Sequence, residues 1–288
     1  MTAQKEEKKR KNIFDRIGSV DYRIIYTIVA ILIFIPLWSP LGIPMKVGQN
    51  VKDYADTINE LPPGSVVLCY FSGYATMLPD IEPIYMATWK MLITRDVKFL
   101  VLLTHVDSPS VILMEMEKLN PEQYGKIYGR DYMFFPYFDI ATNEAATIAF
   151  TEDIRSIFKT DFYGTPLDEL PIMQNIRNAK DIDVVIATNP EFMVRRWVTP
   201  YGVTYLGWGT STGLLPFVPP FYPTYCKGYV GGASQGGELE AYTGFYGDGI
   251  RYNDAKNLGI MSFLIFTIIG NIAYFGEKFT KGGAMKWH

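Results

Sequence analysis

Residues 65–74 read Ser65-Val66-Val67-Leu68-Cys69-Tyr70-Phe71-Ser72-Gly73-Tyr74. The apolar run starts after the turn residues Leu61-Pro62-Pro63-Gly64 and stops at Ser72-Gly73. Its length suits a strand, and without alternating polar positions it must be buried on both faces, as in a parallel sheet. Downstream, residues 80–95 place Ile84, Met86, Ala87, Met91 and Leu92 at helical spacing, with Pro83 near the start. Residues 97–103 repeat the buried-strand pattern, and Pro109 opens a helix that runs to Leu119. A third strand is expected at 132–135, with a helix near 143–158 and a loop over 160–171.

Residues 183–188 form a fourth strand, 190–200 a helix and 203–208 a fifth strand. Pro216, Pro219, Pro220 and Pro223 then exclude regular structure until about Tyr225, and a short helix follows Gly237, ending near Tyr242. Strands alternating with helices predict one Rossmann-like or flavodoxin-like three-layer α/β domain with a mostly parallel sheet.

Outside this domain lie two uncharged apolar stretches, residues 24–44 and 258–275. Each has roughly the 20 residues that a helix needs to cross a hydrocarbon core. The first is longer than a signal-peptide core and lacks a small-x-small cleavage site, so it is expected to stay as an anchor. Neither a second-position glycine nor a cysteine near a helix offers a lipidation signal. The plan is therefore a tail (1–23), a transmembrane helix (24–44), an α/β domain (45–257), a second transmembrane helix (258–275) and a tail (276–288).

Ten basic residues lie in the tails, from Lys5, Lys8, Lys9, Arg10, Lys11, Arg16 and Arg23 to Lys278, Lys281 and Lys286. The domain-side flanks hold Lys46, Lys52, Arg251 and Lys256. By the positive-inside rule both termini are cytoplasmic and the domain is extracytoplasmic, in a two-pass cell-membrane protein. The domain carries 17 of the 27 basic and 25 of the 30 acidic residues. That acidic balance argues against nucleic acid or an anionic lipid surface as its partner.

The segments Leu61-Pro62-Pro63-Gly64-Ser65-Val66-Val67 and Tyr163-Gly164-Thr165-Pro166-Leu167-Asp168-Glu169-Leu170-Pro171 carry a resemblance. It continues through Tyr201-Gly202-Val203, Tyr229-Val230-Gly231-Gly232 and Ile269-Gly270-Asn271-Ile272-Ala273-Tyr274-Phe275. Together they resemble an uncharacterised prokaryotic family of membrane proteins with an α/β domain between an N-terminal and a C-terminal transmembrane helix. The likeness spans most of residues 20–276; it implies the architecture and brings no activity or catalytic residue.

Gly232-Ala233-Ser234-Gln235-Gly236 matches G-x-S-x-G, follows a plausible strand at Tyr229-Val230 and precedes a plausible helix. A serine nucleophile there needs a histidine and an acid. His105, with Asp107 two residues on, lies at the end of the second strand; the downstream histidine is His288, beyond the second span. The same glycines also serve as a structural turn, or as a cradle for an anion at a helix N-terminus. No G-x-G-x-x-G follows the first strand, so no dinucleotide cofactor is expected.

Ser72, Tyr74, His105, Asp107, Asn189, Glu191, Thr210 and Ser211 fall at expected strand ends, the usual ligand edge of an open α/β sheet. Ser72, Asn189, Glu191, Thr210 and Ser211 are the candidate ligand-binding set, although loop residues there are commonly polar anyway. Two histidines and two cysteines without paired spacing point to no metal. Asp80 and Glu82 read as acids in a helix's first turn. Cys69 and Cys226 are open to either pairing or burial as free thiols.

Residues 214–225 are aromatic and proline-rich, and Leu214, Phe217, Phe221, Tyr222 and Tyr225 are candidates for a partner interface or for packing on the domain. Gly259, Ser262, Gly270 and Ala273 let helices approach closely. Asn271 needs a hydrogen-bond partner inside the membrane, near Thr27 or on a neighbouring subunit. The sequence thus points first to a non-enzymatic membrane subunit that assembles with itself or with other membrane proteins. A membrane-bound serine hydrolase and a small-ligand sensor are the alternatives.

Overall fold

The computed structural model describes residues 13–139 and 143–280. Six strands form one sheet: β1 (Val66–Phe71), β2 (Lys98–Leu103), β3 (Tyr132–Phe135), β4 (Val184–Ala187), β5 (Thr204–Gly209) and β6 (Cys226–Gly231). Their order is β3-β2-β1-β4-β5-β6 and every pair is parallel. This is the doubly wound Rossmann order, in which the chain reverses its direction of travel between β1 and β4.

Alternate side chains of each strand feed two cores. Val67, Cys69, Phe71, Phe99, Val101 and Leu103 pack with the helices Gln49–Asn59, Leu78–Ile93 and Ser108–Leu119. Leu68, Tyr70, Leu100, Leu102, Met133 and Phe135 pack on the other face with Ala146, Phe150, Phe192 and Trp197. The helix after β1 and the helical run after β4 therefore leave on opposite faces, which opens a crevice at the switch point.

The structure makes the plausible strand at Tyr229-Val230 part of a sixth paired strand, beside the five expected in the sheet. β6 carries an exposed Lys227 and two glycines, so its composition hides its pairing. Gly228 is required by contact: a Cβ there would run into the Tyr54 backbone of the Gln49–Asn59 helix. That helix lies in a stretch to which the sequence reading assigned no element. The helix expected after Gly237 already starts at Gly232.

The domain unit, residues 44–252, also holds a buried carboxylate at its C-terminal boundary. Glu240 accepts hydrogen bonds from the N–H groups of Gly247 (3.1 Å), Gly249 (3.1 Å) and Ile250 (2.9 Å). It thus satisfies donors at the start of the Asp248–Thr280 helix that would otherwise lack partners.

The second unit comprises residues 1–43 and 253–288, of which 13–43 and 253–280 are described. The Asp248–Thr280 helix is long and apolar enough to cross a membrane, and among the described residues it is the only such helix. The N-terminal apolar stretch forms a helix of 17 residues, Tyr22–Trp38, shorter than the expected 24–44. Pro40 closes it, because proline disfavours helix in the residue before it, whereas Pro36 is accommodated in the last turn. At 1.5 Å per residue it spans about 26 Å, short of a core about 30 Å thick.

Within this unit Asp254 is fully buried and accepts from Leu41 N–H (2.7 Å), Gly42 N–H (2.9 Å) and Ile43 N–H (3.0 Å). Gly259 meets Ile33 at the contact distance a small residue allows, and Ser262 and Ala273 are buried. The tail cations Lys5, Lys8, Lys9, Arg10, Lys11, Lys281 and Lys286, and His288, lie outside the described residues.

Candidate functional site at the strand carboxyl ends

The crevice at the switch point has a hydroxyl-rich floor. Ser72, after β1, and Thr104, after β2, share a 2.5 Å hydrogen bond. Thr188, after β4, donates from Oγ1 to the Trp208 carbonyl at 3.1 Å. Beneath them, Tyr70 is held at both ends: its hydroxyl accepts from Trp197 Nε1 (3.1 Å) and its carbonyl from Trp208 Nε1 (3.0 Å). Burial raises the Tyr70 phenol's pKa well above its ordinary value, so it stays neutral.

Asn189 turns the chain out of β4 with φ at +62°, a left-handed conformation that asparagine tolerates. Its Oδ1 accepts from Phe192 N–H at 3.3 Å, which starts the next helix. The side-chain NH2 faces no such demand. Thr188, Asn189, Glu191, Phe217 and Phe221 line a hollow of about 460 Å³. A smaller cavity of about 60 Å³, lined by Tyr70, Ser72 and Thr104, shares Thr188 and Asn189 with it. The combined size falls in the range of small-molecule pockets.

Of the expected ligand set, Ser72, Asn189 and Glu191 meet here, whereas Thr210 and Ser211 serve the turn beside it. Thr210 Oγ1 accepts from Gly213 N–H at 2.9 Å, and Ser211 donates from N (2.9 Å) and Oγ (3.1 Å) to Asp80. Asp80 also accepts from Ala233 N–H at 3.0 Å. The anion at the start of the Gly232–Thr243 helix is therefore the chain's own carboxylate. Gly232, with φ at +73°, allows this approach, since a Cβ would crowd both Ser211 and Asp80. The sequence alone reads Asp80 as an acid in the first turn of its own helix; the structure adds this second role.

The set Ser234, His105 and Asp107 is not brought together. His105 follows β2 and Ser234 follows β6, four strand intervals apart, which is about 19 Å across the sheet. Asp107 offers its backbone N–H, not its carboxylate, to His105 Nδ1 at 3.2 Å; the carboxylate lies 3.8 Å away. An Nδ1 that accepts is the reverse of a triad histidine, whose Nδ1–H donates to the acid. The His105 ring rests against Tyr74, with centroids 4.4 Å apart.

Of the proline-aromatic segment, Leu214 is fully buried and so belongs to the core rather than to a surface. Tyr222 packs on Tyr229 and donates to Asp53 at 2.5 Å. Burial and then the Asp53 carboxylate push its pKa up to about 12. Phe217 and Tyr225 stand exposed, and Phe217 and Phe221 form a wall of the crevice.

Cys69 and Cys226 are free and buried, and burial pushes the Cys226 thiol up to about 12. They sit three strand intervals apart, about 14 Å, beyond the reach of a disulfide. Among the described residues no group of three or more His, Cys, Asp or Glu is placed to hold a metal ion. Where a dinucleotide fold presents backbone N–H groups to phosphate after β1, this chain has Pro79, which lacks one, and the Asp80 carboxylate.

A more polar hollow of about 630 Å³ lies elsewhere on the domain and includes Arg155 and Asp168. Its Arg155 is already used by Asp168 (2.7 Å) and by the carbonyls of Ile176 (2.8 Å) and Met173 (3.0 Å).

The sequence reading missed Tyr70, Thr104, Thr188 and the role of Asp80. A threonine or serine just past each of β1, β2 and β4 was the available signal for the hydroxyl floor. Compared with models of known protein families and with curated proteins, the chain matches none.

Proposed function

We propose that this chain is a non-enzymatic, membrane-anchored α/β subunit whose domain binds a small ligand at the switch-point crevice. The observation that carries this reading is that Thr188 and Asn189 join the small cavity of Ser72 and Thr104 to the hollow lined by Phe217 and Phe221. Its hydroxyls are spent on each other and on a main-chain carbonyl, which suits holding a ligand in place and activates no nucleophile. In this reading both termini are cytoplasmic and the domain lies on the other side of the cell membrane. The basic tails and the resemblance to the anchor–domain–anchor family support that two-pass plan.

A thermal-shift screen of the full chain in maltoside micelles against a panel of small metabolites tests the reading. At least one compound is expected to stabilise the chain, and Phe217→Ala, which changes an exposed wall residue, is expected to reduce the shift. A panel without any stabilising compound would overturn it.

One observation favours assembly as well. Asn271 is exposed on the apolar Asp248–Thr280 helix, and Thr27 donates instead to the Arg23 carbonyl at 2.7 Å. An amide facing lipid is costly, so a neighbouring subunit, of the same or another kind, supplies its partner. Asn271→Leu is expected to reduce the mass of the particle extracted in mild detergent. An unchanged mass would count against this contact.

A further inference from the structure

Resting on the crevice reading above, we propose that the ligand presents an alkylammonium cation to Glu191 between the rings of Phe217 and Phe221. Three features of the hollow select that chemistry. First, its charged residue is a carboxylate, and among the described residues no cation pairs with Glu191. The two basic residues nearest to Glu191 in sequence, Arg195 and Arg196, reach Glu144, and Lys227, the nearest to Phe221, donates to the carbonyls of Pro223 and Thr224. An anionic ligand would meet uncompensated repulsion there.

Second, two aromatic residues line the same hollow. An aromatic ring face has a negative quadrupole that attracts a cation, and the apolar area of Phe217 and Phe221 suits methyl or methylene groups. Third, the remaining polar groups are weak and neutral: Asn189 keeps an NH2 donor, and Thr188 is committed to Trp208. Such groups orient a hydroxyl or carbonyl substituent without supplying charge. A cation held by one carboxylate and aromatic faces, with a small polar arm beside Asn189, satisfies every side of the hollow. The acidic balance of the domain raises the local concentration of such a cation.

The test compares choline with 3,3-dimethylbutan-1-ol, its uncharged isostere, by isothermal titration of the full chain in maltoside micelles. Choline is expected to bind about tenfold more tightly than the alcohol. Glu191→Gln is expected to erase most of that advantage while leaving the alcohol unaffected, and Phe221→Leu, which keeps the wall apolar, should weaken choline a few-fold. Glycerophosphocholine, which has no net charge, separates two sources of the group: tighter choline assigns a free ammonium compound, and tighter glycerophosphocholine a lipid headgroup.

Equal binding of choline and the alcohol, or indifference of choline to Glu191→Gln, would overturn the ammonium assignment. If an uncharged or anionic member of the metabolite panel occupies the crevice while choline does not, the assignment fails and the crevice reading stands. If nothing occupies the crevice, both fail.

Discussion

Asp80 Oδ1 accepts a hydrogen bond from the backbone N–H of Ala233 at 3.0 Å, so a carboxylate from the helix after β1 terminates the helix after β6. Its other oxygen holds the Ser211 turn. One side chain thus ties the G-A-S-Q-G turn, which the sequence leaves open to other uses, to the Ser211 turn after β5. Asp80→Ala is expected to cost about 1–2 kcal/mol of domain stability, with Asp80→Asn costing less because an acceptor oxygen remains. Denaturant melts of both variants in micelles check the order.

Ser234 lies about 19 Å of sheet from His105, too far for that histidine to serve as its base. A fluorophosphonate probe is therefore expected to leave the folded chain unlabelled. Labelling that disappears in Ser234→Ala would contradict this and restore a hydrolase.

Glu115 is buried, with Oε1 accepting from Lys118 at 2.9 Å and Oε2 without a partner among the described residues. Burial, only partly offset by Lys118, raises its pKa above the ordinary 4.5. The folded state therefore holds the proton more tightly than the unfolded chain. This contribution to stability is full below the unfolded value and is lost as pH rises through the raised one. As pH rises above about 4.5 the wild-type chain is expected to lose stability that Glu115→Gln, which cannot titrate, does not lose. Melts from that pH upward, with the two slopes compared, decide the matter.

Gly228 faces the Tyr54 backbone with no room for a side chain. Gly228→Ala must push the Gln49–Asn59 helix away from β6, at a cost of about 1–3 kcal/mol typical of overpacking. A Gly244→Ala control, open to solvent but with φ at +76°, should cost less because only local backbone strain opposes it. Thermal melts of the two variants, compared directly, check the ranking.

The strands that the sequence revealed are those buried on both faces. Val66–Phe71 and Lys98–Leu103 announce themselves because a central parallel strand has no solvent side on which to place polar residues. β6 lies at the sheet edge and exposes Lys227, and it trades side-chain volume at Gly228 for contact with Tyr54. Its extent through Gly228 therefore depends on a neighbour 174 positions earlier in the chain, although Tyr229-Val230 was legible as a strand. Ser72, Asn189 and Glu191 were legible as strand-end polar residues, whereas Thr210 and Ser211 shared that signature and went to a turn. Local pattern places a residue at a sheet edge but does not say which partner its hydrogen bonds reach.

By itself the sequence determined the α/β class, the parallel alternation and the apolar segments at either end of the domain. All of these follow from hydrophobic periodicity and length, which are properties of contiguous residues. Tertiary structure decided the strand order, the dispersal of Ser234 from His105, the capture of the Ala233 N–H by Asp80, and the crevice between Asn189 and Phe221. Those depend on which distant segments pack side by side. Packing is settled by the joint burial of both sheet faces and by the need of every buried donor for an acceptor, neither of which a local window of residues contains.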